Sequence, residues 1–191
     1  MQELDQYLAK ALKTLRKEKG WSLDRTAKET GVSKAMLGQI ERGESSPTIA
    51  TLWKIAGGFH TQMSTFLNPQ TVKMVDTVIR SASSLRQQPA SDEMLVAPLF
   101  PYEQRFGFEM LELTLLPGYE RFSEPHEQGV TEHVVVLSGK MELLVNDEWI
   151  PLTPGSGIRF AADKPHGYRN NTTAPVVFHN LIHYSQASPT R

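Results

Sequence analysis

Two periodicities divide this 191-residue chain. Through the first third, apolar residues recur every three or four positions, as they do on one face of a helix. Residues 21–31 carry Leu23 and Ala27 four apart behind Ser22, a natural N-cap. Gly31 stands where a helix ends in a left-handed residue, and Val32 plugs the corner that follows. Ser33 caps a second helix, in which Met36, Leu37 and Ile40 keep helical spacing until Gly43 closes it. From Met94 onward the pattern changes. The segments MLVAPLF, FGFEMLELTLL, EHVVVLSGKMELLVN, EWIPL, GSGIRFAA and APVVFHNLIHY are apolar and often alternating, as strands are. Asn146-Asp147 predicts a hairpin turn, and Pro117-Gly118 and Pro154-Gly155 predict two further turns. Short antiparallel strands at this spacing make a sandwich or a barrel. Between the two regions, Asn68-Pro69 ends the helices, residues 72–79 form a candidate short strand, and residues 81–92 (SASSLRQQPASD) read as a loop or linker. The expected organisation is a helical domain over 1–67, a linker with a possible first strand over 68–92, and an all-β domain over 93–186.

Two short helices joined by a tight glycine-containing turn form a helix-turn-helix. The residues left over on the second helix are predicted to face outward: Ser33, Lys34, Ala35, Gly38, Gln39 and Arg42. That set suits the major groove of double-stranded DNA. Gln39 matches an adenine edge in two places, Lys34 reaches guanine acceptors or a phosphate, Ala35 lies on a thymine methyl, and Gly38 allows close approach. Ser45, Ser46 and Thr48 offer hydroxyl and backbone donors to phosphates near a helix start. The bland alternative is a small helical bundle with a solvated polar face.

Residues 5–67 resemble the Cro/phage-repressor (XRE-type) DNA-binding domains. The matching positions are Leu15, Arg16, Ala27, Gly31, Val32, Ser33, Leu37, Ile40, Glu41, Gly43, Pro47, Thr48, Leu52 and Ala56. The resemblance implies an all-α five-helix bundle with its recognition helix at 33–42. That family commonly has Gln directly after the cap of the first turn helix, where it helps bind phosphate; Leu23 stands there in this chain.

Charge agrees with this division. Residues 1–67 hold ten Lys/Arg against seven Asp/Glu, and the remainder hold ten against fourteen. The basic third is the one suited to phosphates. There is no cysteine, so disulfides and thiolate metal sites are excluded. No apolar run approaches a membrane span and the N-terminus has no signal-peptide core, so a cytoplasmic protein without membrane contact is expected.

The chemistry of the all-β region rests on His126, Gln128, Glu132 and His166. On a strand, His126 and Gln128 point to one face, and Glu132 shares its face with Val134 and Val136. Two imidazoles and a carboxylate that converge inside a barrel suit a divalent metal. The alternative is a polar pocket in which these side chains bond to one another or to water. Residues 94–185 resemble the cupins. The first cupin motif appears as Gly118, then His126-Glu-Gln128, Glu132 and Gly139, with seven residues rather than five before the first histidine. The second appears as Gly155, His166 and Asn170, with Ala161 and Asp163 at its Pro and Gly positions. The resemblance implies a double-stranded β-helix barrel and metal-ligand positions at His126, Gln128, Glu132 and His166. Gln128 replaces a histidine, and an amide oxygen is the poorer ligand. Zinc is expected first, since it accepts a His/Glu set with an open position.

Arg159 is either paired inside the barrel or solvated outside it. If it points inward, its fork suits the carboxylate of a small effector such as an amino acid. His179 and His183 share one face of their strand, opposite Phe178, Asn180, Ile182 and Tyr184. His133 points away from Glu132, and Trp149 packs. The expected function is a transcriptional regulator and not an enzyme: a homodimer that binds a near-palindromic operator and senses a small-molecule effector. The alternative is a cupin metalloenzyme, of dioxygenase or isomerase type, tethered to a DNA reader.

Overall fold

A computed structural model describes residues 2–67, 77–87 and 93–184 of the chain, which divides into two compact units. The first holds α1 (Gln2–Glu18), α2 (Leu23–Thr30), α3 (Lys34–Glu41), α4 (Ile49–Phe59) and α5 (Ser64–Leu67). The second contains α6 (Ala82–Leu85) and nine strands, so the chain's described helices number six, with five in the N-terminal unit.

The caps at Ser22 and Ser33 fall where the sequence places them, and Thr48, expected only as a phosphate contact, supplies a third. Ser22 Oγ accepts from Arg25 N, Ser33 Oγ from Met36 N and Thr48 Oγ1 from Thr51 N, each relieving one unpaired donor of a first turn. Gly31 ends α2 at φ 66°, a conformation that costs a glycine little. Leu12, Leu37, Leu52 and Ile55 form the core, all shielded from water. Arg16 ties α1 to the end of α3. Its Nε and Nη2 donate to the two oxygens of Glu41 at 2.5 and 2.8 Å, while Nη1 donates to the Trp21 carbonyl. This planar fork-to-fork pair is what arginine provides and lysine does not. The face that α2 buries is not the expected apolar one. Thr26 and Thr30 are buried, with their hydroxyls donating to the Ser22 and Thr26 carbonyls at 2.9 and 2.8 Å.

The second unit is two antiparallel sheets. One has the order β1 (Met94–Glu103), β2 (Phe108–Leu115), β9 (Val176–His183), β4 (Thr131–Ser138), β7 (Gly157–Ala161). The other has the order β3 (Glu120–Ser123), β8 (His166–Arg169), β5 (Met141–Val145), β6 (Glu148–Leu152). Buried residues alternate along β4 and β9, putting Glu132, Val134 and Val136 inside with Phe178, Asn180 and Ile182. The β5–β6 hairpin turns through Asn146 and Asp147, both at positive φ, as a two-residue type I′ turn requires.

Two elements depart from the expectation. β3 and β8 were not predicted: at four residues each, with sequences ERFS and HGYR, they offer no alternation. The stretch 81–92 is not all loop. Ala82–Leu85 forms a helical turn, Gln87 bridges Val96, and Arg86 Nη2 donates to Glu112 at 2.5 Å, so Arg80–Gln87 belongs to the second unit. Of the candidate strand at 72–79, residues 72–76 lie outside the described residues and 77–79 are not in a strand.

Candidate functional site

α3 presents Ser33, Lys34, Ala35, Met36 and Gln39 to solvent, with Arg42 just beyond its end. Two positions correct the helical-face reading. Gly38 is buried, not outward: a Cβ there would meet Leu23 Cδ1 at 3.8 Å and Arg42 Nη1 at 3.1 Å. Leu23, standing where a phosphate-binding Gln is common, lies against α3 instead, with Cδ1 at ordinary contact distance from the Gly38 position. Met36, expected in the core, is 41% exposed. Several of the predicted phosphate or base contacts already have partners. Lys34 Nζ lies 2.8 Å from Asp24 Oδ2, and Arg42 forks onto Glu44 at 2.8 and 2.7 Å. Both pairs are exposed, so they contribute little and exchange readily for a phosphate. Ser46 donates to Asp5 Oδ1 at 2.7 Å, Thr48 caps α4, and Ser45 is half-buried.

In the barrel, Glu132 is the hub. It is 1% exposed and both its oxygens are engaged. Oε1 lies 2.8 Å from His126 Nε2 and 3.6 Å from His166 Nε2. Oε2 accepts from the Tyr168 hydroxyl and, at 2.8 Å, from Asn180 Nδ2. One oxygen is thus held from behind while the other faces two imidazoles. Burial opposes ionisation of Glu132, but the His126 hydrogen bond and the charges of His126 and His166 outweigh it and hold the carboxyl well below its ordinary value. An ionised carboxylate only accepts, so His126 Nε2 is the donor of that pair.

His166 is oriented from its other side. Its Nδ1 lies 2.9 Å from the Lys164 carbonyl, which can only accept, so the proton sits on Nδ1. In the neutral ring Nε2 then carries the lone pair. That atom is buried and has no hydrogen-bond partner. Burial pulls the His166 pKa down and Arg121 pulls it further; Glu132 and the Lys164 carbonyl outweigh both, so the net shift is up. Burial first, then Glu132, push the Tyr168 phenol well above its ordinary value, so it stays a donor.

The ligating atoms of His126, Glu132 and His166 all lie within 4.8 Å of one another, and among the described residues no other His/Cys/Asp/Glu group could hold a metal ion. The donor set fits one: two imidazoles and a carboxylate, with Glu132 and His166 each braced by a further bond and a lone pair at His166 already aimed inward. The cluster could therefore hold a metal ion.

Two other predicted residues stand apart. Gln128 is in an exposed turn rather than on a strand, because β3 stops at Ser123 and the chain loops before β4. Arg159 is exposed on β7, whose inward residue is Phe160; it belongs to the outer face with its register partner His133. The arginine that faces the cluster is Arg121. It lies opposite Tyr168 across β3–β8, as Ser123 lies opposite His166, and directly opposed residues share a face. Tyr168, Arg121 and the role of Asn180 were missed. Two of these sit on the four-residue strands, and the third was placed on the right face but given no task.

Residues 12–66 match the helix-turn-helix family and residues 111–182 the cupin domain family. The HTH-type transcriptional regulator SutR of Escherichia coli is 48% identical over 187 residues, which cover 98% of this chain and all of that protein. The HTH-type transcriptional regulator SinR of Bacillus licheniformis is 37% identical over 62 residues, 32% of this chain and 56% of its own length. A crystal structure of an HTH_3 family transcriptional regulator from Vibrio cholerae superposes with a TM-score of 0.82 at 46% identity, covering 96% of this chain and 98% of that one.

Proposed function

This chain belongs to the family of HTH-type transcriptional regulators that join a helix-turn-helix domain to a cupin domain, and on that premise we propose that its barrel is a metal-bearing sensor of a small anionic effector. The observation that carries the reading is the His126–Glu132–His166 cluster, with the buried, unpartnered Nε2 of His166. These three residues would hold the ion, zinc first, and it would supply an open coordination position for an effector oxygen or nitrogen. Arg121 takes the place expected of Arg159: its fork suits an effector carboxylate at the same inner face, as in an amino acid or organic acid. Tyr168 and Asn180 keep Glu132 aimed.

The reader would act as a homodimer, because one eight-residue helix contacts too few base pairs for useful specificity. Its operator is a near-palindrome with half-sites about one helical turn apart. Ser33, Lys34, Ala35 and Gln39 meet bases or nearby phosphates, and Arg42, Ser45, Ser46 and Thr48 lie along the backbone. Occupancy of the barrel shifts DNA affinity only if the effector binds the two states of the regulator unequally. Arg80–Gln87, tied to β2 through Arg86 and Glu112, is the part of the interdomain segment that the barrel controls directly. No catalytic turnover is expected.

Metal analysis of untagged protein purified without chelator, alongside His126→Ala, tests the sensor. Near one equivalent in the parent and little in the variant is the expected result. A parent that takes up no zinc, iron or manganese would remove the metal from the proposal. Effector-dependent DNA release without consumption of the effector separates a regulator from an enzyme.

A further inference from the structure

We propose that Met36 is a base reader: its thioether packs on the C5 methyl of a thymine in the major groove, beside the base that Gln39 contacts. The inference rests on the reading of 33–42 as the groove element.

Three observations lead to it. Met36 follows the same helical spacing as Leu37 and Ile40, yet those two are at most 1% exposed and Met36 is 41% exposed. Among the described side chains of α1–α5, no other large apolar residue is exposed. Its neighbours on that face are Ser33, Lys34, Ala35 and Gln39, and residues three apart on a helix sit side by side, so Met36 adjoins Gln39. The position is also firmly set, because the Met36 amide donates to the Ser33 cap.

The major groove presents one apolar group along its edge pattern, the thymine methyl. A methionine is suited to it, being unbranched, polarizable and able to fit an irregular gap. Gly38, the residue that might have let the backbone approach the bases, is buried under the Arg42 side chain and beside Leu23, so side chains must do the reading. Gln39 and Met36 together then read an adenine and a thymine at neighbouring positions, which predicts an A/T pair step within each contacted half-site.

The test uses the full-length protein on duplexes first selected from a random pool. Each thymine of the selected half-site is replaced singly by deoxyuridine, which removes the methyl and nothing else. Affinities are measured at fixed salt for the parent, Met36→Ala, Met36→Leu and Gln39→Ala. At one position the replacement should weaken the parent and Met36→Leu about four-fold per half-site, the factor expected for one buried methyl group. At that position Met36→Ala should bind thymine and uracil alike. If every position costs the parent and Met36→Ala the same, or costs neither anything, the inference is overturned. The Gln39→Ala arm tells the two failures apart. Relaxed sequence preference in that variant without any Met36 coupling overturns only the thymine contact. Unchanged preference in both variants overturns the assignment of α3 as well. Met36 is exposed, so its replacement should leave the thermal midpoint of the helical unit in place.

Discussion

The two units place their polar groups in opposite ways. In the helical unit, the groups proposed to meet a partner stand outside on α3, and the one well-shielded ion pair among the described residues, Arg16–Glu41, only braces the frame. In the barrel, the groups offered to a partner are inside, and the frame and the site are the same residues. The lesson concerns separability. On the proposed reading, a side chain exposed on α3 changes what the protein recognises without touching its stability. A side chain in the Glu132 cluster cannot do so, because its members satisfy one another around a carboxylate that is cut off from water.

The largest effect expected from this contrast is at Glu132. Glu132→Ala leaves the Tyr168 hydroxyl, Asn180 Nδ2 and His126 Nε2 without their acceptor, and should cost the barrel about 3–5 kcal/mol in urea unfolding, with the helical unit unaffected. A barrel transition that stays in place would break the comparison. The same cluster gives a pH signature in chelator-stripped protein. Glu132 is held below its ordinary 4.5, so the unfolded chain takes up its proton first, and stability falls as pH drops from 4.5 toward the folded value. His166 is raised above 6.5, so stability is full below 6.5 and is lost as pH climbs through the folded value. Thermal midpoints of the barrel against pH should therefore fall off on both sides; a flat profile would contradict the cluster's geometry.

A smaller loss is expected at the frame of the reader. Glu41→Ala strands the Arg16 guanidinium, which is 15% exposed, and should destabilise the helical unit by about 2–3 kcal/mol while leaving the barrel transition alone. Smallest in stability, and the sharpest test of separability, is Gln39→Ala. It should lose about 1–3 kcal/mol of binding at the cognate operator, relax preference at one base pair, and leave unfolding unchanged.

The sequence was most legible where one period ruled a long segment. The caps at Ser22 and Ser33, the turn at Gly31 and six of the strand-bearing segments could be read because local chemistry and tertiary packing agree there. Of the site, His126, Glu132 and His166 carried a motif and are brought together. Reading failed where a residue type disguised its place. Met36 is apolar but exposed, and Thr26 and Thr30 are polar but buried by bonding to the preceding turn. Arg121 and Tyr168 lie on strands too short to show alternation; only the pairing of β3 with β8 sets them on the inner face. Gln128 was assigned a strand's geometry where the chain makes a turn.

The position of β9 has a further consequence, for the order in which the protein is made. It is the last of the nine described strands to be synthesised, yet it lies between β2 and β4, which do not pair with each other. Until Val176–His183 leaves the ribosome, the five-stranded sheet exists only as the separate pairs β1–β2 and β4–β7, and Glu132 lacks Asn180. Helices α1–α5, built from contacts close in sequence, can fold long before that. During synthesis the chain therefore acquires its DNA reader while the inner faces of its half-built barrel are still open to water and to chaperones.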